Sequence, residues 1–170
     1  MVHLAHILDE LERNAAIFEA LLLDLPTELV QWRPAPDKWN ILEIVCHLRD
    51  EERDDFRKRV HQTLTDPSVA PPSIDPEGWV KARQYAEQEY ALVLESFADA
   101  RRASVTWLRA LDHPQWTNTW QHPQLGPLSA ESFLNNWLAH DYLHIRQILQ
   151  RKFGYLQQVS GNDLSYAGEW

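Results

Sequence analysis

The chain has 170 residues, 44% of them hydrophobic and 24% charged, with a formal net charge of −9. That balance suits one compact domain with a real core, and the acidic surplus argues against a nucleic-acid partner held on a broad basic surface. No apolar run approaches the roughly 18 residues a membrane span needs. The acidic, amphipathic start M-V-H-L-A-H-I-L-D-E-L does not read as a secretion signal, and the single cysteine, Cys46, excludes an internal disulfide and fits a cytoplasmic setting.

Leu4, Leu8, Leu11, Ala15, Phe18, Leu22 and Leu25 recur at three- and four-residue steps, which predicts a first helix closed by Pro26. The connector T-E-L-V-Q-W-R-P-A-P-D-K-W should cross the end of a bundle. Asp37 or Asn40 then caps a second helix running to about Leu64. Its apolar face is Ile41, Ile44, Val45 and Leu48, with His47 at the shoulder. Glu43, His47 and Glu51 make a stripe at four-residue spacing, read mostly as a solvated face beside Arg49, Arg53 and Arg57.

The stretch D-P-S-V-A-P-P-S-I-D-P-E-G is a proline-rich crossover to a third helix. That helix resumes near Trp79, breaks around Tyr85 to Glu89, continues through Leu92, Phe97, Val105, Leu108 and Leu111, and stops at His113-Pro114. A loop with turns at His122-Pro123 and Gly126-Pro127 leads to Ser129, the N-cap of the last helix, with Glu131 in its first turn and Gly154 as its stop. Four long helices with almost no strand signal predict an all-α four-helix bundle, one domain over residues 1–170 with a core of about 3–155 and an irregular tail.

His140 and His144 stand one helical turn apart in F-L-N-N-W-L-A-H-D-Y-L-H-I-R-Q-I-L, so both rings leave one face at neighbouring heights. A wheel places His144 within the apolar face and His140 at its shoulder. A lone histidine so placed is usually a core residue bonded to backbone or carboxylate. A one-turn pair joined by His47 from another helix reads better as a divalent transition-metal site. H-D-x-x-H differs from the protease motif H-E-x-x-H by one methylene. However, Asp141 falls near the centre of the apolar face and no suitable third ligand follows it. Asp141 is therefore expected behind the ligands, orienting a histidine or holding a loop donor such as Trp39. Glu51 is the preferred general base or supporting acceptor. Cys46 points away behind the apolar stripe. His3, His6, His61 and His113 lack partners and read as surface residues, while His122 could line a pocket mouth.

The ordered segments K-W-N-I-L-E-I-V-C-H-L, F-A-D-A-R-R-A-S-V-T-W-L-R-A-L, H-P-Q-L-G-P-L-S and H-D-Y-L-H-I-R-Q-I resemble the DinB-like/YfiT-like superfamily of metal-dependent enzymes over most of residues 1–155. The resemblance implies a four-helix bundle with a metal, zinc or nickel, on His47, His140 and His144. It also implies a homodimer and a link to thiol-dependent S-transferases and metal-dependent hydrolases.

Three neutral imidazoles leave a divalent ion its full charge and an open position. There a water or a low-molecular-weight thiol would lose its proton more readily and attack a small electrophilic substrate held between Trp and Tyr side chains. The alternatives are a non-catalytic metal-binding or stress-associated interaction protein, which a closed fourth ligand would favour, and a purely structural bundle.

Overall fold

The computed structural model describes residues 2–168. The first apolar seam becomes α1 (Val2–Leu22), which buries Ile7, Leu11, Phe18 and Leu22. A turn with Asp24 in the left-handed region (φ 54) ends it before Pro26. The connector holds a short helix, α2 (Thr27–Gln31), whose Leu29 and Val30 are buried.

The second rod has three parts: α3 (Ile41–Glu51), a π-helical turn (Glu52–Phe56) and α4 (Arg57–Thr65). Asn40, not Asp37, is its cap. Asn40 Oδ1 accepts from the Glu43 backbone N–H, and Glu43 Oε2 accepts from the Asn40 N–H, a reciprocal capping box.

After the crossover come α5 (Pro76–Ala82) and a 3-10 turn (Tyr85–Glu87) where the break was expected, then α6 (Tyr90–Arg109). An antiparallel hairpin follows, β1 (Thr119–His122) with β2 (Gly126–Ser129), where almost no strand was expected. Its short strands carry prolines beside the turn and too few residues for a readable alternation.

The last rod, α7 (Ala130–Ser160), starts on the expected Ser129 cap but does not stop at Gly154. A Cβ on Gly154 would lie 2.7 Å from Cη2 of Trp32, so this glycine admits an indole from the connector rather than ending the helix. Gly161, at φ 62, is the true terminus.

α1, the α3–α4 rod, α6 and α7 form the four-helix bundle. Its core has two apolar clusters, one around Phe18, Ile44, Val45, Phe97 and Ile148, the other around Leu11, Phe56, Val60, Leu108 and Trp137. Arg101 bridges them, its guanidinium 5.6 Å from the Phe97 ring and 5.9 Å from the Trp137 ring.

The expected solvated face of the second helix is overturned. Every residue from Ile41 to Leu48 is buried, and so are Asp50, Glu51 and Glu52. α2, α5, α6 and α7 all pack around α3. Its charged side chains tolerate this because distant cations meet them: Arg33 on Glu43, Arg83 on Asp50, and Arg101 on Glu52.

Candidate metal centre

α3 contributes His47 and α7 contributes His140 and His144. His140 Nε2 lies 3.2 Å from His47 Nε2 and 3.1 Å from His144 Nε2. His47 is buried and the other two are half-buried. The one-turn spacing stacks the α7 pair with ring centroids 4.3 Å apart, and each of these rings lies within 5.3 Å of the His47 ring. Trp39, just before α3, leans on His47 at 4.9 Å, and Phe56 from the π turn leans on His140 at 5.0 Å.

Burial drives all three imidazoles toward the neutral form. His47 falls to about 3 and His140 to about 2, with the neighbouring histidines adding to the effect, and His144 is lowered as well. Their nitrogen lone pairs are therefore available near neutral pH.

The His144 tautomer follows from its partner. Nδ1 lies 2.8 Å from Gln147 Oε1, an acceptor, so Nδ1 carries the proton and Nε2 is bare. A proton on His140 Nε2 could then serve at most one of its two close contacts in a linear geometry. A cation among the three Nε2 atoms satisfies every lone pair at once. Tetrahedral bonds of about 2.0–2.1 Å to nitrogen put neighbouring donors roughly 3.3 Å apart, close to the separations seen here. The residues fit a divalent transition metal. Among the described residues no fourth histidine, cysteine or carboxylate joins the cluster.

Glu51 is 4% exposed and its Oε1 has no hydrogen-bond partner. That oxygen lies 3.9 Å from His47 Nδ1, the ring nitrogen on the far side from the cluster, which also lacks a partner. Burial and then the charge of Asp55 push the Glu51 carboxyl up to about 8.

Asp141 is fully buried with both oxygens engaged, but not as expected. Its donors are the Arg101 guanidinium, at 2.6 and 2.7 Å, and Asn14 Nδ2, at 3.1 Å, rather than Trp39 or a ligand histidine. The α7 wheel placed it correctly, yet its partners come from other helices. Trp39 is instead tied through its carbonyl to Arg151.

Cys46 is buried with Sγ 3.9 Å from the Tyr85 carbonyl, and burial pushes its thiol up to about 12, so it stands outside the site. His3, His6, His61 and His113 are exposed. His122 lines no site: its Nδ1 accepts the backbone N–H groups of Gln124 and Leu125 and closes the hairpin. Sequence reasoning missed Gln147 and Phe56. Gln147 was findable, since three residues along a helix bring it beside His144. Phe56 was not, because the π turn shifts it around the rod.

The sequence matches the family model described as the DinB superfamily over residues 10–148. Among solved structures, YfiT from Bacillus subtilis, described as a probable metal-dependent hydrolase with an unusual four-helix bundle topology, superposes with a TM-score of 0.77. The two chains are 17% identical, and the match covers 94% of this chain and 89% of YfiT. No curated protein sequence matches the chain. With most of its length under the family model, its bundle shared with YfiT and a three-histidine cluster between its rods, this chain belongs to the DinB superfamily.

Proposed function

We propose that this protein is a metal-dependent enzyme that directs water or a low-molecular-weight thiol at a small electrophilic substrate. His47, His140 and His144 would hold the divalent ion, zinc or nickel. The observation that carries the reading is the convergence of three neutral Nε2 atoms without a fourth protein donor. When bound, the ion supplies the positive charge that makes an incoming water or thiol more acidic.

The chain's own residues do the rest. Gln147 keeps the His144 proton on Nδ1, so that Nε2 faces inward. Glu51, beside His47 Nδ1, acts as the acceptor that orients this ring, a placement that suits it better than a base in front of the site. Trp39 and Phe56 wall the histidines with apolar rings and limit water around them. The description of YfiT as a hydrolase supports water as the nucleophile, and the family resemblance supports thiol transfer. The proposal includes a homodimer, on the same resemblance.

Elemental analysis of untagged protein is the first test, with about one zinc or nickel per chain expected. Turnover of an electrophilic ester, with and without added thiol, then separates hydrolysis from transfer. Metal-loaded protein inert toward both would favour the non-catalytic metal-binding alternative. Metal-free protein that refuses zinc and nickel would end the proposal.

A further inference from the structure

We propose that the cleft between α4 and α6 is a second ligand site, built for a small planar organic anion that carries a hydroxyl group. The cleft encloses about 720 Å³. That lies within the roughly 300–1,000 Å³ of small-molecule sites. None of the three clustered histidines lines it, so it stands or falls independently of the metal reading.

Its wall on the second rod presents Arg53, Arg57 and His61 at four-residue steps, hence on one face. Opposite stands Trp107 of α6, with the Arg57 guanidinium 5.4 Å from its ring and the His61 ring at 6.0 Å. Lys58 is neutralised by Asp54 at 2.7 Å. Arg53 and Arg57 form no ion pair among the described residues, although the chain carries a net charge of −9. Two unmatched guanidinium groups beside an indole suit an anion on a flat ring. The planar forks match carboxylate or phosphate oxygens, and the ring lies against Trp107.

The floor sets the orientation. Glu52 and Ser104, each 1% exposed, both line the cleft. Glu52 Oε2 is taken by Arg101 and Trp137, but Oε1 has no partner. Ser104 Oγ also has none, although a helical serine ordinarily bonds back to the preceding turn. Buried polar atoms left unpaired are costly and rare, so a ligand hydroxyl donating to Glu52 Oε1 and meeting Ser104 Oγ answers both. The Glu52 charge in turn keeps the anionic end at the mouth, where Arg53 is exposed and Arg57 half-buried.

Calorimetry on the full chain with 4-hydroxybenzoate and 4-hydroxyphenyl phosphate tests this, and the tighter binder identifies the anion. Saturable binding is expected, weakened by added salt. It should fall about tenfold or more in the Arg53→Gln/Arg57→Gln double variant and in Trp107→Leu, and stay unchanged in His140→Ala. Benzoate, lacking the hydroxyl, should bind more weakly than 4-hydroxybenzoate. Absence of saturable binding for both probes, or parental affinity in the double arginine variant, would overturn the site. Equal affinity for benzoate and 4-hydroxybenzoate would overturn the role of Glu52 and Ser104.

Discussion

His140 and Asp141 are consecutive residues of α7, and both carry polar groups into the bundle, yet their surroundings are opposite. Asp141 meets a dedicated cation, Arg101, which also binds Glu52 Oε2, so these charges are answered inside the protein. His140 meets two more neutral bases, all three held uncharged by burial. The first cluster supplies donors and acceptors to each other, whereas the second gathers acceptors alone. A buried polar group with a built-in partner is structure, while a set of like groups without one is a place for something that arrives. Helical phase brings both to the same rod, and only the neighbouring helices tell them apart.

The largest expected effect lies on the closed side of this comparison. Asp141→Leu strands the Arg101 guanidinium in the core and should cost about 3–5 kcal/mol in chemical denaturation of metal-free protein. A loss below about 1 kcal/mol would erase the distinction, since Asp141 would then be no better anchored than a surface acid. On the open side, His140→Ala should leave the metal-free fold close to the parent and weaken zinc binding by more than about 100-fold, beyond the 10–100-fold typical of residues behind the ligands. His47→Ala and His144→Ala should match it, and His61→Ala should bind as the parent does. Parental affinity in any one of the three would break the cluster as a unit.

Metal removal sharpens the same contrast. At a free ion concentration 100 times the Kd, metal that binds only the folded state adds about 2.7 kcal/mol, so chelation should lower the Tm. An identical Tm after verified removal would mean that the histidines hold nothing of consequence. The smallest effect belongs to Gln147, which touches one ligand alone. Gln147→Leu frees the His144 tautomer and should weaken zinc binding by about 10-fold, with little change in metal-free stability. A change in stability without one in affinity would make Gln147 a packing residue.

What could be read from the chain follows the reach of each interaction. The α7 pair, the capping region of Asn40, the crossover and the break near Tyr85 rest on neighbours within a few residues, and local spacing exposes them. The complete burial of α3 does not, because Arg33, Arg83 and Arg101 reach its acids from elsewhere, and a stripe of acids alone looks solvated. Gly154 misleads for a related reason. A glycine late in a helix signals a stop, and only the distant Trp32 reveals it as a site of close packing.

The π turn at Glu52–Phe56 bears on how the rod tolerates change in length. Leu48, Glu52, Phe56 and Val60 are all buried at steps of four, although a regular helix drifts by about 40° over each such step. The wider turn absorbs that drift, acting as a phase shifter between the half that carries His47 and the half that lines the cleft. Excising one residue within it would restore an unbroken α-helix and swing α4 by about 100° against its neighbours. Phe56 would leave His140, and Arg57 would leave Trp107. The two halves of this rod are thus free to vary in composition, but not in their count of residues.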